Sequence, residues 1–96
     1  MPRMDRIGST ATTVTTEYGI LHVTYHNTVV VEWDTTTKTV SLCSGGWETT
    51  TTKNRMNQAS AQFGLGFSVY QHDHAWYVDT KEHKGIPFQS GMTFAV

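Results

Sequence analysis

The hydrophobic period of this chain turns helical once, between Gly45-Gly46 and Gly64, and that switch constrains its fold more than any other feature. Ahead of the glycines, apolar and polar residues alternate in short runs, the signature of half-buried strands. Behind them Met56, Ala59 and Phe63 recur at helical spacing, with Asn54, Arg55, Gln58 and Gln62 on other faces. A chain with one such switch must place a single helix against strands formed on either side of it.

The strand segments are 11–17 (a weak edge strand), 21–25, 28–33, where Val29, Val30 and Val31 give the strongest signal, and 39–43. His26-Asn27 is a two-residue turn, and 34–38 supplies the next. The helix spans about 51–63, with an N-cap among 49–52 and Gly64 as C-cap. Strands return at 67–71 and 75–79, joined through His72-Asp73-His74. Threonine recurs in every exposed stretch, as suits a β-branched, half-polar residue on strand faces and turns. The expected fold is α+β: a small antiparallel sheet with one helix packed across it, in the order β-β-β-α-β-β. Residues 1–10 are expected as a flexible lead-in, 11–79 as the domain, and 80–96 as an irregular tail. Its Ile86, Phe88, Met92 and Phe94 would dock on the domain or on a partner subunit.

Several classes of function are disfavoured. The 96 residues suffice for one domain. A formal charge of -1 argues against binding long nucleic acid through its backbone. The single cysteine, Cys43, allows no internal disulfide and no cysteine-cluster zinc site. No apolar run reaches the roughly 18 residues that cross a bilayer, and the polar start has no secretory signal. The expected location is a reducing cytoplasm.

Binding chemistry concentrates between Ser44 and Gln58. Gly45 and Gly46 form a turn beside Trp47, and the threonines that follow lead into a helix opening with Lys53 and Arg55. Free N–H groups, hydroxyls and cations at a helix start suit an anion such as phosphate. The spacing is not that of a P-loop, and Lys53 and Arg55 point to different helix faces. The plainer alternative is a tight turn, a packed tryptophan and a capped helix. The candidate ligand-binding set is Gly45, Gly46, Trp47, Thr51, Thr52, Lys53, Arg55 and Tyr70. The first seven surround the glycine turn and helix start, Thr51, Thr52, Lys53 and Arg55 holding phosphate, and Trp47 or Tyr70 covers a base.

Other constellations carry less. Tyr25, Trp33, Trp47, Tyr70, Trp76 and Tyr77 could stack on a base but are chiefly core formers, and Tyr70 and Tyr77, opposite the core face, are the better candidates for a ligand surface. His72, Asp73 and His74 provide too few ligands for a closed metal site, and the remaining histidines show no fixed spacing to them. Carboxylates are scattered and no nucleophile has a base beside it, so no catalytic residue, metal or cofactor is assigned.

From about Thr24 to Val78 the chain resembles a family of small proteins from tailed bacteriophages, especially those of aquatic bacteria. The likeness rests on Tyr25-His26-Asn27-Thr28, Ser44-Gly45-Gly46-Trp47 and the run from Thr51 to Gln58. Gln62-Phe63-Gly64-Leu65-Gly66-Phe67-Ser68-Val69-Tyr70-Gln71 and Ala75-Trp76-Tyr77-Val78 complete it. The lead-in and the tail after Asp79 lie outside it. The resemblance implies a phage gene expressed in a bacterial host, hence the host cytoplasm, and brings no activity with it.

The leading expectation is a non-catalytic phage accessory protein that binds a small phosphorylated, nucleotide-like ligand. It would sequester a host signalling nucleotide in host takeover or counter-defence, as a homo-oligomer. The rival is an inhibitor or adaptor that meets a host protein through its sheet edge and apolar C-terminal tail.

Overall fold

The computed structural model describes residues 11–46 and 48–96. Four strands precede the helix: β1 (Thr12–Glu17), β2 (Ile20–Tyr25), β3 (Thr28–Asp34) and β4 (Thr39–Leu42). The helix α1 covers Thr50–Phe63. β5 (Ser68–His72), β6 (Ala75–Asp79), β7 (Ile86–Pro87) and β8 (Met92–Ala95) follow. The class is the expected α+β, with antiparallel strands and the helix packed across them. The strands form two sheets rather than one, ordered β1-β2-β3-β4-β8 and β5-β6-β7.

Local chemistry sets the hairpins. Tyr18 and Gly19 both take positive φ and close β1 onto β2 in two residues, the geometry that matches strand twist. Asp73 and His74 do the same between β5 and β6. Asp34 accepts the N–H groups of Thr36 and Thr37 at 2.9 and 3.1 Å and so shapes the β3–β4 turn. Those donors hold its carboxyl below the usual carboxylate range, the Thr37 N–H most of all.

In β2 and β3, Val23 faces Val31 and Thr24 faces Val29, so Val30 is the extra residue of a bulge. The bulge explains why Val30 and Val31, consecutive in sequence, are both buried while Val29 is exposed. The sheet's inner face continues through Val40 and Leu42, and α1 adds Met56 and Ala59. Val69, Trp76 and Val78 of the second sheet close the same core.

Part of the stretch 80–96, expected to be irregular, is regular. β8 pairs with β4, setting Phe94 beside Val40 and Met92 beside Leu42. Its in–out alternation is present in the sequence, but Pro87 and Gly91 interrupt the surrounding pattern. Phe94 meets Phe67 edge-on at 5.5 Å, and Phe88 meets Trp76 at 5.4 Å. The expected lead-in at 1–10 lies outside the described residues.

The helix ends where its caps place it. Thr49 is the N-cap, its hydroxyl accepting the Thr52 N–H at 3.2 Å. Gly64 ends the helix in the left-handed conformation. Arg55 and Gln58, expected on faces other than the Met56–Ala59–Phe63 stripe, are buried as well. The cause is that α1 touches β2 and β3 of one sheet and β5 of the other, so one apolar stripe does not cover its contacts.

Candidate functional site: a cavity at the helix start

An up-and-down meander places the β2–β3 turn and the end of β4 at the same end of the sheet, and α1 begins there. Gly45 makes the approach close: with φ of 62°, a Cβ on it would stand 2.6 Å from the Thr28 hydroxyl. Ser44, buried, donates its N–H to Ser90 and accepts the Gly46 N–H at 3.3 Å. The segment leading out of β4 is thereby tied to Ser90, ahead of β8, while Gly45 lies against Thr28 of the β2–β3 hairpin.

Between these segments lies a cavity of about 450 Å³, lined among the described residues by Tyr25, His26, Asn27, Thr28, Val30, Ser44, Thr49 and Thr52. That volume falls within the roughly 300–1,000 Å³ typical of small-molecule sites. Four of the side chains are hydroxyls of Ser or Thr, and none is a carboxylate. Thr49 and Thr52 share a hydroxyl contact at 3.1 Å. His26 takes a positive φ of 55°, donates its N–H to the Ala11 carbonyl, and sets its ring 4.4 Å from that of Tyr25. Val30 reaches the cavity because the bulge turns it inward.

The positive charge sits behind the lining. Arg55 donates from Nε to the Thr12 hydroxyl at 2.8 Å and from Nη1 to the Gln58 carbonyl oxygen at 3.0 Å. Its guanidinium lies 5.7 Å from the centre of the Tyr25 ring, within cation–π range. The first turn of α1 carries no acidic residue. The start of α1 therefore turns its partial positive charge toward this end of the cavity.

Of the candidate ligand-binding set, Thr52 lines the cavity, while Gly45 and Gly46 form the adjoining turn. Thr51 and Lys53 are half-buried and outside the described lining. Arg55 is turned inward toward Thr12, Gln58 and Tyr25 instead of standing at the helix mouth. Trp47 lies outside the described residues. Tyr70 belongs to the other sheet, where it stacks on Tyr77 at 5.9 Å and donates its hydroxyl to Asp79. Burial, together with the Asp79 carboxylate, raises its pKa above the ordinary tyrosine value. The spacing of sequence motifs alone missed Tyr25, His26, Asn27, Thr28 and Ser44. The available signal was topological, because a meander brings the first hairpin turn after β2 beside the exit from β4.

The other expectations find these places. Cys43 is half-buried with its sulfur 3.2 Å from the Ser90 hydroxyl. No group of three or more His, Cys, Asp or Glu is placed to hold a metal ion among the described residues. No helix among them is long and apolar enough to cross a membrane. The tail's Phe88, Met92 and Phe94 pack on the protein's own core.

A family model described as Kyanoviridae Gp96 protein matches residues 3–95, and the chain belongs to this family of tailed-bacteriophage proteins. The match runs through the N-terminal segment and the tail, both of which the resemblance seen in the sequence leaves out. No curated protein and no solved structure matches the chain.

Proposed function

We propose that this member of the Kyanoviridae Gp96 family is a non-catalytic binder of a small phosphorylated, nucleotide-like ligand, acting in the cytoplasm of the infected host. The observation that carries it is the cavity at the start of α1. Hydroxyls of Thr28, Ser44, Thr49 and Thr52 offer hydrogen bonds to an anionic group, and the Tyr25 and His26 rings, tilted 58° to one another, offer aromatic contacts to a base. The start of α1 favours negative charge at the same place. With His26 as the one imidazole in the described lining and no carboxylate to pair with it, the site suits holding better than turnover. Removing a host signalling nucleotide from circulation is the role that fits a binder of this size.

The test is thermal melting against a panel of nucleoside mono-, di- and triphosphates and cyclic nucleotides. A ligand present at a hundred times its dissociation constant stabilises by about 2.7 kcal/mol. His26 and Asn27 are exposed, so His26→Asn and Asn27→Ala should melt within about 0.5 kcal/mol of the parent protein. Both should lose most of the ligand-induced shift. A panel with no shift, or a shift that both variants retain, contradicts the proposal.

A further inference from the structure

The sheet edges of this protein are protected unequally. The side of β5 facing away from β6 is taken by helix side chains: Asn57 donates to the Val69 carbonyl at 2.8 Å and accepts the Val69 N–H at 2.7 Å. Ser60 likewise bonds both backbone groups of Phe67, at 2.6 and 3.0 Å. At the opposite edge, β7 is two residues long and contains Pro87. β8, one edge of the larger sheet, has four residues. β1, its other edge among the described residues, has six, with no proline, lysine or bulge within it. Short strands, prolines, charges and covering segments are how proteins prevent edges from pairing. In β1 only Glu17, at its end, is charged.

The direction of its free groups follows from the hairpin. Glu17 and Ile20 flank a two-residue turn, and the His26 N–H reaches the Ala11 carbonyl at 2.8 Å. The odd-numbered residues of β1 therefore bond to β2, and the N–H and C=O of Val14 and Thr16 point outward. No described group pairs with these outward groups of Val14 and Thr16. Two of the three exposed large hydrophobic residues, Val14 at 42% and Tyr18 at 92% exposure, belong to this hairpin.

We infer that β1 pairs antiparallel with β1 of a second copy, about a two-fold axis through Thr15, joining the two five-stranded sheets. Val14 of each copy then exchanges both backbone bonds with Thr16 of the other, and the Val14 side chains gain cover. A two-fold axis perpendicular to the sheet places both helices on the same face of the joined sheet, as side-chain parity requires. Glu17 falls opposite Thr13, so the two Glu17 residues stand about 13 Å apart along the strands, beyond the screening length at physiological salt. A second copy fits better than an unrelated strand because the outward groups, the apolar side chain and the charge spacing are all self-complementary. One strand pair is a small contact, so the dimer is concentration-dependent. This inference is independent of the cavity.

Sedimentation velocity of the full chain across a concentration series tests it. The unaltered protein should pass from monomer to dimer, and Thr16→Pro should raise the dissociation constant about tenfold or more. That proline removes an outward N–H and no bond to β2, so the far-ultraviolet spectrum should be unchanged; Val14→Lys provides a second disruption without backbone change. The register has its own test in a Cys43→Ser background. Thr15→Cys meets itself across the axis, at about 4.5 Å between Cα atoms in such a pair, inside disulfide range. It should oxidise to a covalent dimer, whereas Thr13→Cys should not. A protein that stays monomeric to about 1 mM, or a dimer indifferent to both edge variants, or equal cross-linking at the two positions, overturns the inference.

Discussion

At the start of α1 the hydroxyls of Thr49 and Thr52 bond to one another and border open space, whereas further along Asn57 and Ser60 are committed to the backbone of β5. These polar groups sit on a single helix, in segments of similar polarity. What separates them is what the chain brings opposite. Asn57 and Ser60 face a strand edge whose N–H and C=O groups would otherwise be buried without partners, so every polar atom there has a structural duty. Thr49 and Thr52 face the gap between the β2–β3 hairpin and the Ser44–Gly46 exit, where Gly45 keeps the walls apart from any side chain of its own. Arg55 stands between the two regions and faces inward, holding β1 through Thr12 while it underlies Tyr25. The comparison teaches that polarity in a helix marks a site only where the opposing backbone does not consume it.

Perturbing the two regions should separate them. The largest effect is expected from Asn57→Ala, which leaves the buried Val69 N–H and C=O without their partner. It should cost about 2–4 kcal/mol in urea unfolding, with no change in ligand affinity once the folded fraction is accounted for. A small cost would mean that the β5 edge is satisfied in another way and would dissolve the contrast. Thr49→Ala removes the N-cap and should cost about 1 kcal/mol, while also weakening ligand binding, because the same hydroxyl borders the cavity. If binding is untouched, the cap is only a cap.

The smallest effect concerns neither region and serves as a control on both. The Asp34 carboxyl is held below its ordinary value chiefly by the Thr37 N–H. A depressed folded-state pKa contributes stability above the unfolded value and loses it as pH falls through the folded one. The melting difference between the parent protein and Asp34→Ala should therefore be steady near neutrality and shrink below about pH 4. A difference that persists in acid would show that the turn's hydrogen bonds do not depend on the carboxylate charge.

Much of this fold is legible in the residues. Gly45-Gly46 marks the switch from strand to helix, the threonines of 49–52 bracket the N-cap that the structure places at Thr49, Gly64 supplies the C-cap, and the alternation of 21–25 and 39–43 marks inner and outer faces. Three features are not legible locally. The bulge at Val30 depends on pairing between β2 and β3, since three successive valines carry no phase of their own. β8 depends on β4, which lies some fifty residues earlier in the chain. The orientation of Arg55 depends on which sheets flank the helix; a cation next to a helix start reads as an anion ligand until Thr12 and Gln58 are seen to hold it. The candidate site was accordingly legible as a region and not as a set of side chains. Thr52 belongs to it and the glycine turn adjoins it, and the hairpin residues 25–28 complete it through the meander.

The most direct measurement is an amide chemical-shift titration of the isotope-labelled protein with the nucleoside phosphate that gives the largest melting shift. The cavity account predicts saturable displacements confined to residues 25–28, 44–46 and 49–52, with Tyr70 and Tyr77 of the other sheet unmoved. Saturable displacements centred on Tyr70 and Tyr77, or a phosphate panel that moves no amide in the cavity segments, would contradict it.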